Sequence, residues 1–438
     1  MRGKFQAPPI NTESPAGNRG RRYGTAALLC AAIAGFVQAA EDNAAPVSVD
    51  AAAPVSSQPG SAEDVTTGSV AVDIEKLLAN LDPTSDEAME AVPVLLAALR
   101  NPESDSTVRE RSAKLLARIG EPARHAVPTL IDLLKQPGPA SEKNQPVTGS
   151  KIETDVRYWT MKSLGVFGSV AADAVPTIRQ LLESPQTSLE LRVLAADTLG
   201  QIRSPAAVGV LTTELMKSHS SDSLLRLTMI DSLGLCGPQA VGAVPALARA
   251  TEDSNATIRR KACAAIGALG PRAESGTASL MERLVLDEDP AVKDAAASAL
   301  AQLGASSVPS LIELLEQGGP ELQWRAARAL GQIGNAAEAT QTALERSFEN
   351  STNEVRIEAV DAVWKITRDP NLVAAPLMKE LATDDRQIRR RAAQLLIELN
   401  PLPAETLAAL SRISETGNSS EARAAAYVIR ERARKTDQ

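Results

Sequence analysis

Apolar positions along most of this chain recur at helical spacing, in short runs separated by polar turns. Leu130, Leu133 and Leu134, and again Leu311, Leu314 and Leu315, follow the i, i+3, i+4 pattern of one buried helical stripe. Such runs open at a Val-Pro or Ala-Pro step: Val92-Pro93, Val127-Pro128, Val175-Pro176, Val244-Pro245, Val308-Pro309 and Ala375-Pro376. Proline suits the first helical turn, where its missing N–H is not needed and its φ is already helical. A polar turn follows, such as Asp253-Ser254-Asn255 or Asp287-Glu288-Asp289-Pro290. A second run then passes through small residues, as in Ala264-Ala265 and Ala295-Ala296-Ala297, to a Leu-Gly-x-Ile-Gly-like close. The closes include Ile119-Gly120, Phe167-Gly168, Cys236-Gly237, Leu269-Gly270, Leu303-Gly304 and Ile333-Gly334. Glycine just past a helix accepts the left-handed cap that turns the chain back. The pattern predicts a helical hairpin written many times over.

The second run of each hairpin starts at a recurring pair: Val108-Arg109, Val156-Arg157, Leu191-Arg192, Leu225-Arg226, Ile258-Arg259, Val292-Lys293, Leu322-Gln323, Val355-Arg356, Ile388-Arg389 and Ala422-Arg423. After the first step of 48, successive second members lie 30 to 35 residues apart. That is the period of a stacked helical repeat, which keeps one continuous core as it lengthens. The expected fold is therefore all-α: an α-α superhelix of about ten hairpins over 71–438, with a helix of Ile74, Leu77, Leu78 and Leu81 capping its start. The long first step places about 15 extra residues, from Gln136 to Ser150, between the two helices of the second hairpin.

Composition sharpens this picture. Hydrophobic residues make up 44% of the 438 residues and aromatic residues only 2%, so Ala, Leu, Val and Ile carry the core. That favours helices in close approach, with no large central cavity. The net charge is −8, from 46 basic and 54 acidic residues, which argues against a nucleic-acid partner that would need a cationic groove.

Residues 1–40 read differently. Arg19, Arg21 and Arg22 precede an apolar run from Thr25 to Val37, then the small residues Ala39 and Ala40, then Glu41-Asp42. Positive, apolar and small segments in that order are those of an export signal. The run, roughly 13 residues, is short for a bilayer span of about 20. The expected location is periplasmic or extracellular, with an inner-membrane anchor as the alternative if the segment stays uncleaved; only then is a membrane a partner. Residues 41–70, rich in Ala, Pro and Ser, read as a flexible linker. Cleavage would leave Cys236 and Cys263, on second helices of adjacent hairpins but at heights about 9 Å apart. Two free, buried thiols are expected, since a disulfide needs Cα atoms within about 7 Å.

These units resemble HEAT repeats, specifically the short bacterial class also found in phycobilisome bilin lyases, over roughly 90–435. In HEAT repeats the resemblance implies a ladder between neighbouring units, joining a turn acid to the arginine of the Val-Arg pair. Asp253, Asp289 and Asp385, with Arg259, Arg356 and Arg389, fit those roles. The family is mainly a scaffold, and its fold alone names no function. It also contains a di-iron hydroxylase whose metal is held by His-Glu motifs. This chain has two histidines, His125 and His219, and no His-Glu pair, so that activity is not expected.

No nucleophile elbow, phosphate loop or dinucleotide fingerprint occurs in the sequence. The expectation is thus a non-enzymatic scaffold without catalytic residues, metal or cofactor, binding a protein or peptide along the concave face lined by second helices. An enzyme or subunit of the lyase or hydroxylase kind and a structural assembly component are the alternatives. Offsets of +1, +2 and +5 from the repeat arginine select the side chains free to make contact. They give Tyr158, Trp159 and Lys162 in the second unit and Trp324, Arg325 and Arg328 in the seventh; Arg260 and Arg390 add cations. Aromatic and arginine side chains dominate interface hot spots.

Overall fold

The computed structural model describes residues 85–101, 104–136, 155–217, 222–334, 340–417 and 419–436. The predicted export signal, linker and capping helix, His219 and the insertion from residue 137 onward lie outside these. Among the described residues there are helices and turns and no strand, so the fold is the all-α superhelix that the periodicity implies. The chain divides into two compact units, Met1–Ala126 and Val127–Gln438.

In the first unit, α1 (Asp86–Arg100) and α2 (Ser106–Ile119) pair as one hairpin. Ser85 caps α1 by accepting from the Ala88 N–H, and Asp105 caps α2 by accepting from Thr107. Such caps satisfy N–H groups that the first helical turn leaves without partners. Ala88, Leu95, Leu99, Leu115 and Leu116 are buried between the two helices.

The second unit opens with α3 (Val127–Leu134) and α4 (Val156–Phe167), then α5 (Val175–Glu183) and α6 (Leu189–Ile202), and α7 (Pro205–Lys217) and α8 (Ser223–Cys236). It continues with α9 (Val244–Ala250) and α10 (Ala256–Ala268), α11 (Thr277–Leu286) and α12 (Pro290–Leu303), and α13 (Val308–Gln317) and α14 (Pro320–Ile333). The last hairpins are α15 (Gln341–Asn350) with α16 (Asn353–Thr367), α17 (Pro370–Leu381) with α18 (Arg386–Glu398), and α19 (Ala404–Glu415) with α20 (Ser420–Thr436). Within this unit each even-numbered helix packs on its own odd partner and on the even helix of the next hairpin. Odd helices touch one another far less. A double layer whose one side is drawn closer together curves toward that side, so the even helices form the inner layer.

Small residues allow this closeness. A Cβ on Gly331 of α14 would stand 2.8 Å from Ala362 Cα on α16, and one on Gly267 of α10 would stand 2.8 Å from Ala299 Cα on α12. The first glycine of the Leu-Gly-x-x-Gly close is therefore a helix-to-helix contact point, a role distinct from that of the second. The second glycine ends the helix with positive φ, as expected, but not in the left-handed helical well. Gly168 (φ 58°, ψ −134°) and Gly334 (φ 72°, ψ −135°) lie in the mirror image of the extended region, which only glycine enters easily. A 3-10 turn such as Gly168–Ala174 or Gly237–Ala243 then leads into the next Val-Pro helix.

Two of the connections that lack that glycine use another device. Arg203 and Arg368 take the left-handed conformation themselves, at φ 53° and 55°. Ser204 and Asp369 then cap helices that begin directly at Pro205 and Pro370. Because α17 starts this early, Ala375-Pro376 lies within it. Val92-Pro93 likewise lies inside α1, whose cap at Ser85 starts the helix upstream. Both correct the expectation that these steps open helices, whereas Val127, Val175, Val244 and Val308 do open theirs. Cys236 and Cys263 are free and buried, as the height argument requires.

Candidate functional site

Two ion-pair ladders hold the stacked hairpins in register. The first uses the repeat arginine. Arg192 reaches Asp222 at 3.6 Å, Arg226 pairs with Asp253, Arg259 reaches Asp287 at 2.7 Å, Lys293 reaches Glu321 at 3.4 Å and Arg356 reaches Glu380 at 2.7 Å. Each cation meets an acid of the following hairpin, as the ladder implied, but the membership differs from expectation at three positions. Asp289 and Asp385 are caps, accepting from Ala291 at 2.8 Å and Gln387 at 2.7 Å. Arg389 donates to the Thr383 carbonyl. At these two positions the side chain before the helix is spent on its orphan N–H groups, and Arg259 and Arg356 pair with Asp287, further back in the turn, and Glu380, at the end of the preceding helix. Asp222, which stands before its helix without capping it, is free to meet Arg192. Burial pushes the Asp287 carboxyl up, yet hydrogen bonds from Arg259 and the Asp289 N–H outweigh it and hold the group below its ordinary value.

The second ladder crosses the inner layer and had no counterpart in the sequence reading. Asp231 of α8 accepts from Lys261 of α10 at 2.9 Å, Asp294 of α12 from Arg325 of α14 at 2.8 Å, and Asp361 of α16 from Arg391 of α18 at 2.6 Å. Its signal was available at two of the three rungs. Asp231 and Asp361 sit five residues after a repeat arginine, and Lys261 and Arg391 sit two residues after the next one.

This ladder decides which predicted contact residues are open. Trp159 and Arg325 are only 6% and 4% exposed, which corrects the expectation that they face outward. At offset +2 the side chain lies beside the neighbouring even helix: Leu194, at the same offset in α6, is buried as well, whereas Lys261 and Arg391 at this offset stay half-exposed in the second ladder. Trp159 meets Tyr158 edge-to-face with centroids 4.8 Å apart. Arg325 is held by Asp294 and by Glu321 at 3.0 Å. The open predicted side chains lie at offsets +1 and +5, although Asp361 at +5 is buried in the ladder. Tyr158 is half-buried beneath exposed Lys162, whose ammonium lies 5.9 Å from the ring centroid. Arg260 and Arg390 are exposed.

Trp324 is the best-organised group on this surface. Two guanidiniums lie against its half-exposed indole, Arg325 at 4.3 Å and Arg328 at 5.0 Å from the ring centroid, and both also reach Asp294, at 2.8 and 3.8 Å. Cation–π contacts of this kind are worth about 0.5–1 kcal/mol each at exposed sites, which favours this placement of the ring. On the next inner helix, Glu358 has its carboxyl raised by burial and by Asp361, against the pull of Arg328, Arg391 and Lys365. Lys365 also donates to Asp361 at 3.0 Å. Among the described residues no group of three or more His, Cys, Asp or Glu is placed to hold a metal ion.

Comparison with known proteins agrees with this architecture. Residues 211–301 and 277–364 match the family model for HEAT repeats, so this part of the chain is built of HEAT repeats. No curated protein matches the sequence. Among solved structures, the karyopherin Kap121p, bound to the extreme C-terminus of the protein phosphatase Cdc14p, is similar at 11% identity and TM-score 0.44, over 85% of this chain and 49% of that one. The chain thus spans about half the length of that relative. Human deoxyhypusine hydroxylase is similar at 19% identity and TM-score 0.26, over 64% of this chain and 98% of that one. The CpcE–CpcF phycocyanin lyase of Nostoc sp. PCC7120 is similar at 19% identity and TM-score 0.29, over 73% and 97%.

Proposed function

We propose that the protein is a non-catalytic docking scaffold, exported from the cytoplasm, that binds a protein or peptide along the inner helix layer through side chains at offsets +1 and +5. The observation that carries this reading is Trp324, half-exposed with Arg325 and Arg328 against its ring. A large side chain held rigid before binding loses little entropy on association, and tryptophan and arginine are the residues most often found at the energetic centre of interfaces. Tyr158 beneath Lys162 repeats the arrangement several hairpins away. Contacts spread along successive repeats add up through one extended partner, each being shallow alone.

The test is site-specific photocrosslinking in the native cell. A photoreactive residue at position 324 or 158 should form a discrete adduct of identifiable mass, and one at exposed Glu313 on the odd-helix layer should not. Arg328→Ala should then weaken the adduct at 324. Equal labelling from both layers, or turnover of a substrate by the purified chain alone, would defeat the reading.

A further inference from the structure

The helix α20 concentrates cations around an exposed aromatic ring. On its inward side α20 packs against α18 and α19, with Ala422, Ala425 and Val428 buried. Arg432 fixes it there by donating to the carbonyls of Leu396 and Ile397, both at 3.1 Å, and of Leu399. These groups lie at the end of α18, which lacks a capping glycine, so the guanidinium takes over that task.

On the opposite side, Arg423, Tyr427, Arg430 and Arg434 follow one another at i, i+4, i+7 and i+11, a single helical stripe with Ala426 and Ala433 beside it. Tyr427 is 41% exposed, and the side chains of Arg430 and Arg434 are 63% and 67% exposed. Arg430 lies over the Tyr427 ring at 5.8 Å from its centroid. Exposed Lys435 adds a further cation. Glu431 is the acid at the flank, 2.9 Å from Arg434 and 3.6 Å from Arg430. This concentration of positive charge stands in a chain of net charge −8.

The chain itself shows what such a face pairs with. Wherever one even helix meets the next across the second ladder, a cation on one lies against a carboxylate on the other: Lys261 against Asp231, Arg325 against Asp294, Arg391 against Asp361. We propose that the outer face of α20 is a second docking site, independent of the inner layer, and that its occupant is an acidic α-helical segment of a partner protein. Carboxylates at helical spacing would meet Arg430 and Arg434, while an apolar side chain covers Tyr427 and the two alanines.

The test uses the full chain and a defined probe: a fluorescently labelled, stapled helix carrying Glu at i, i+4, i+7 and i+11 around a central Leu. Fluorescence anisotropy should register binding that weakens at least tenfold in Arg430→Glu/Arg434→Glu and severalfold in Tyr427→Ala. Arg430→Lys/Arg434→Lys should retain most of it, and Trp324→Ala should leave it unchanged. Far-UV circular dichroism identical to that of the parent establishes that each variant is folded. Equal binding of a proline-broken peptide of the same composition would overturn the proposal, since any polyanion would then serve. So would tighter binding to phosphatidylserine vesicles or to an oligonucleotide than to the helix, or self-association of the chain that masks the face. Loss of the inner-layer crosslink with this binding intact would overturn only the earlier reading.

Discussion

Two glycines in the same sequence position should respond in opposite directions to the same substitution. Gly331 and Gly234 both open a Leu-Gly-x-x-Gly close on an inner helix. A Cβ on Gly331 would lie 2.8 Å from Ala362 Cα and 2.9 Å from Ala362 Cβ, against 3.4 and 3.5 Å from the matching atoms of Ala265 for Gly234. Ordinary contact begins near 3.4 Å, so Gly331→Ala must push α14 and α16 apart by about 0.6 Å at a backbone that has no side chain to yield. Overpacking of this sort costs about 1–3 kcal/mol. Alanine returns about 0.8–1 kcal/mol through helix propensity, leaving Gly331→Ala destabilised by up to about 2 kcal/mol. Gly234→Ala keeps the propensity gain with no clash and should be stabilised by roughly 0.5–1 kcal/mol. Gly267→Ala, 2.8 Å from Ala299 Cα, should follow Gly331. Urea titration followed by far-UV circular dichroism reads the sign from the shift in midpoint. A Gly331→Ala midpoint at or above that of the parent, or a Gly234→Ala midpoint below it, would refute the claim that glycine here serves interhelix approach.

Three further outcomes follow from the ladders and the core. Arg226→Ala leaves the buried Asp253 carboxylate without its cation, and breaking one side of a buried pair typically costs about 3–5 kcal/mol; the urea midpoint should fall more than for Lys261→Ala, whose pair is exposed. The carboxyl of Asp287 is held below its ordinary value of 3.8 in the folded chain. Its contribution is therefore present above that value and lost as pH falls through the lower folded value, so Asp287→Asn should flatten the acid limb of stability measured against pH. Burial pushes the Cys263 thiol up to about 12; at pH 8 it should resist a disulfide reagent in the native chain and react at once in urea, and rapid native labelling would show the helix layer to be open there.

Periodicity alone exposed the hairpins, because each repeat buries the same stripe and must repeat the same apolar grammar. What it did not expose are features set by the distance between repeats. The sequence pattern places residues on a helix but not the spacing of one helix from the next. For that reason the two glycines of one close looked like one signal, although the first is fixed by the approach of α16 to α14 and the second by backbone φ. The same blindness sent Trp159 and Arg325 to the surface: both are open on an isolated helix and covered in the stack.

The ladders teach a related lesson about charge. Asp289 and Asp385 looked like ladder acids because they stand beside the right turn, yet both are claimed by first-turn N–H groups two residues on. There an arginine bridging two hairpins takes Asp287 or Glu380 instead, whereas Asp222, which caps nothing, is left for Arg192. Local geometry is settled first and longer-range pairing uses what remains. On the same reasoning the inner layer commits Asp231, Asp294 and Asp361, with Lys261, Arg325 and Arg391, to its own cohesion. If the proposed docking role holds, specificity would come from where the ladders leave side chains such as Trp324, Lys162, Arg260 and Arg390 accessible more than from total charge.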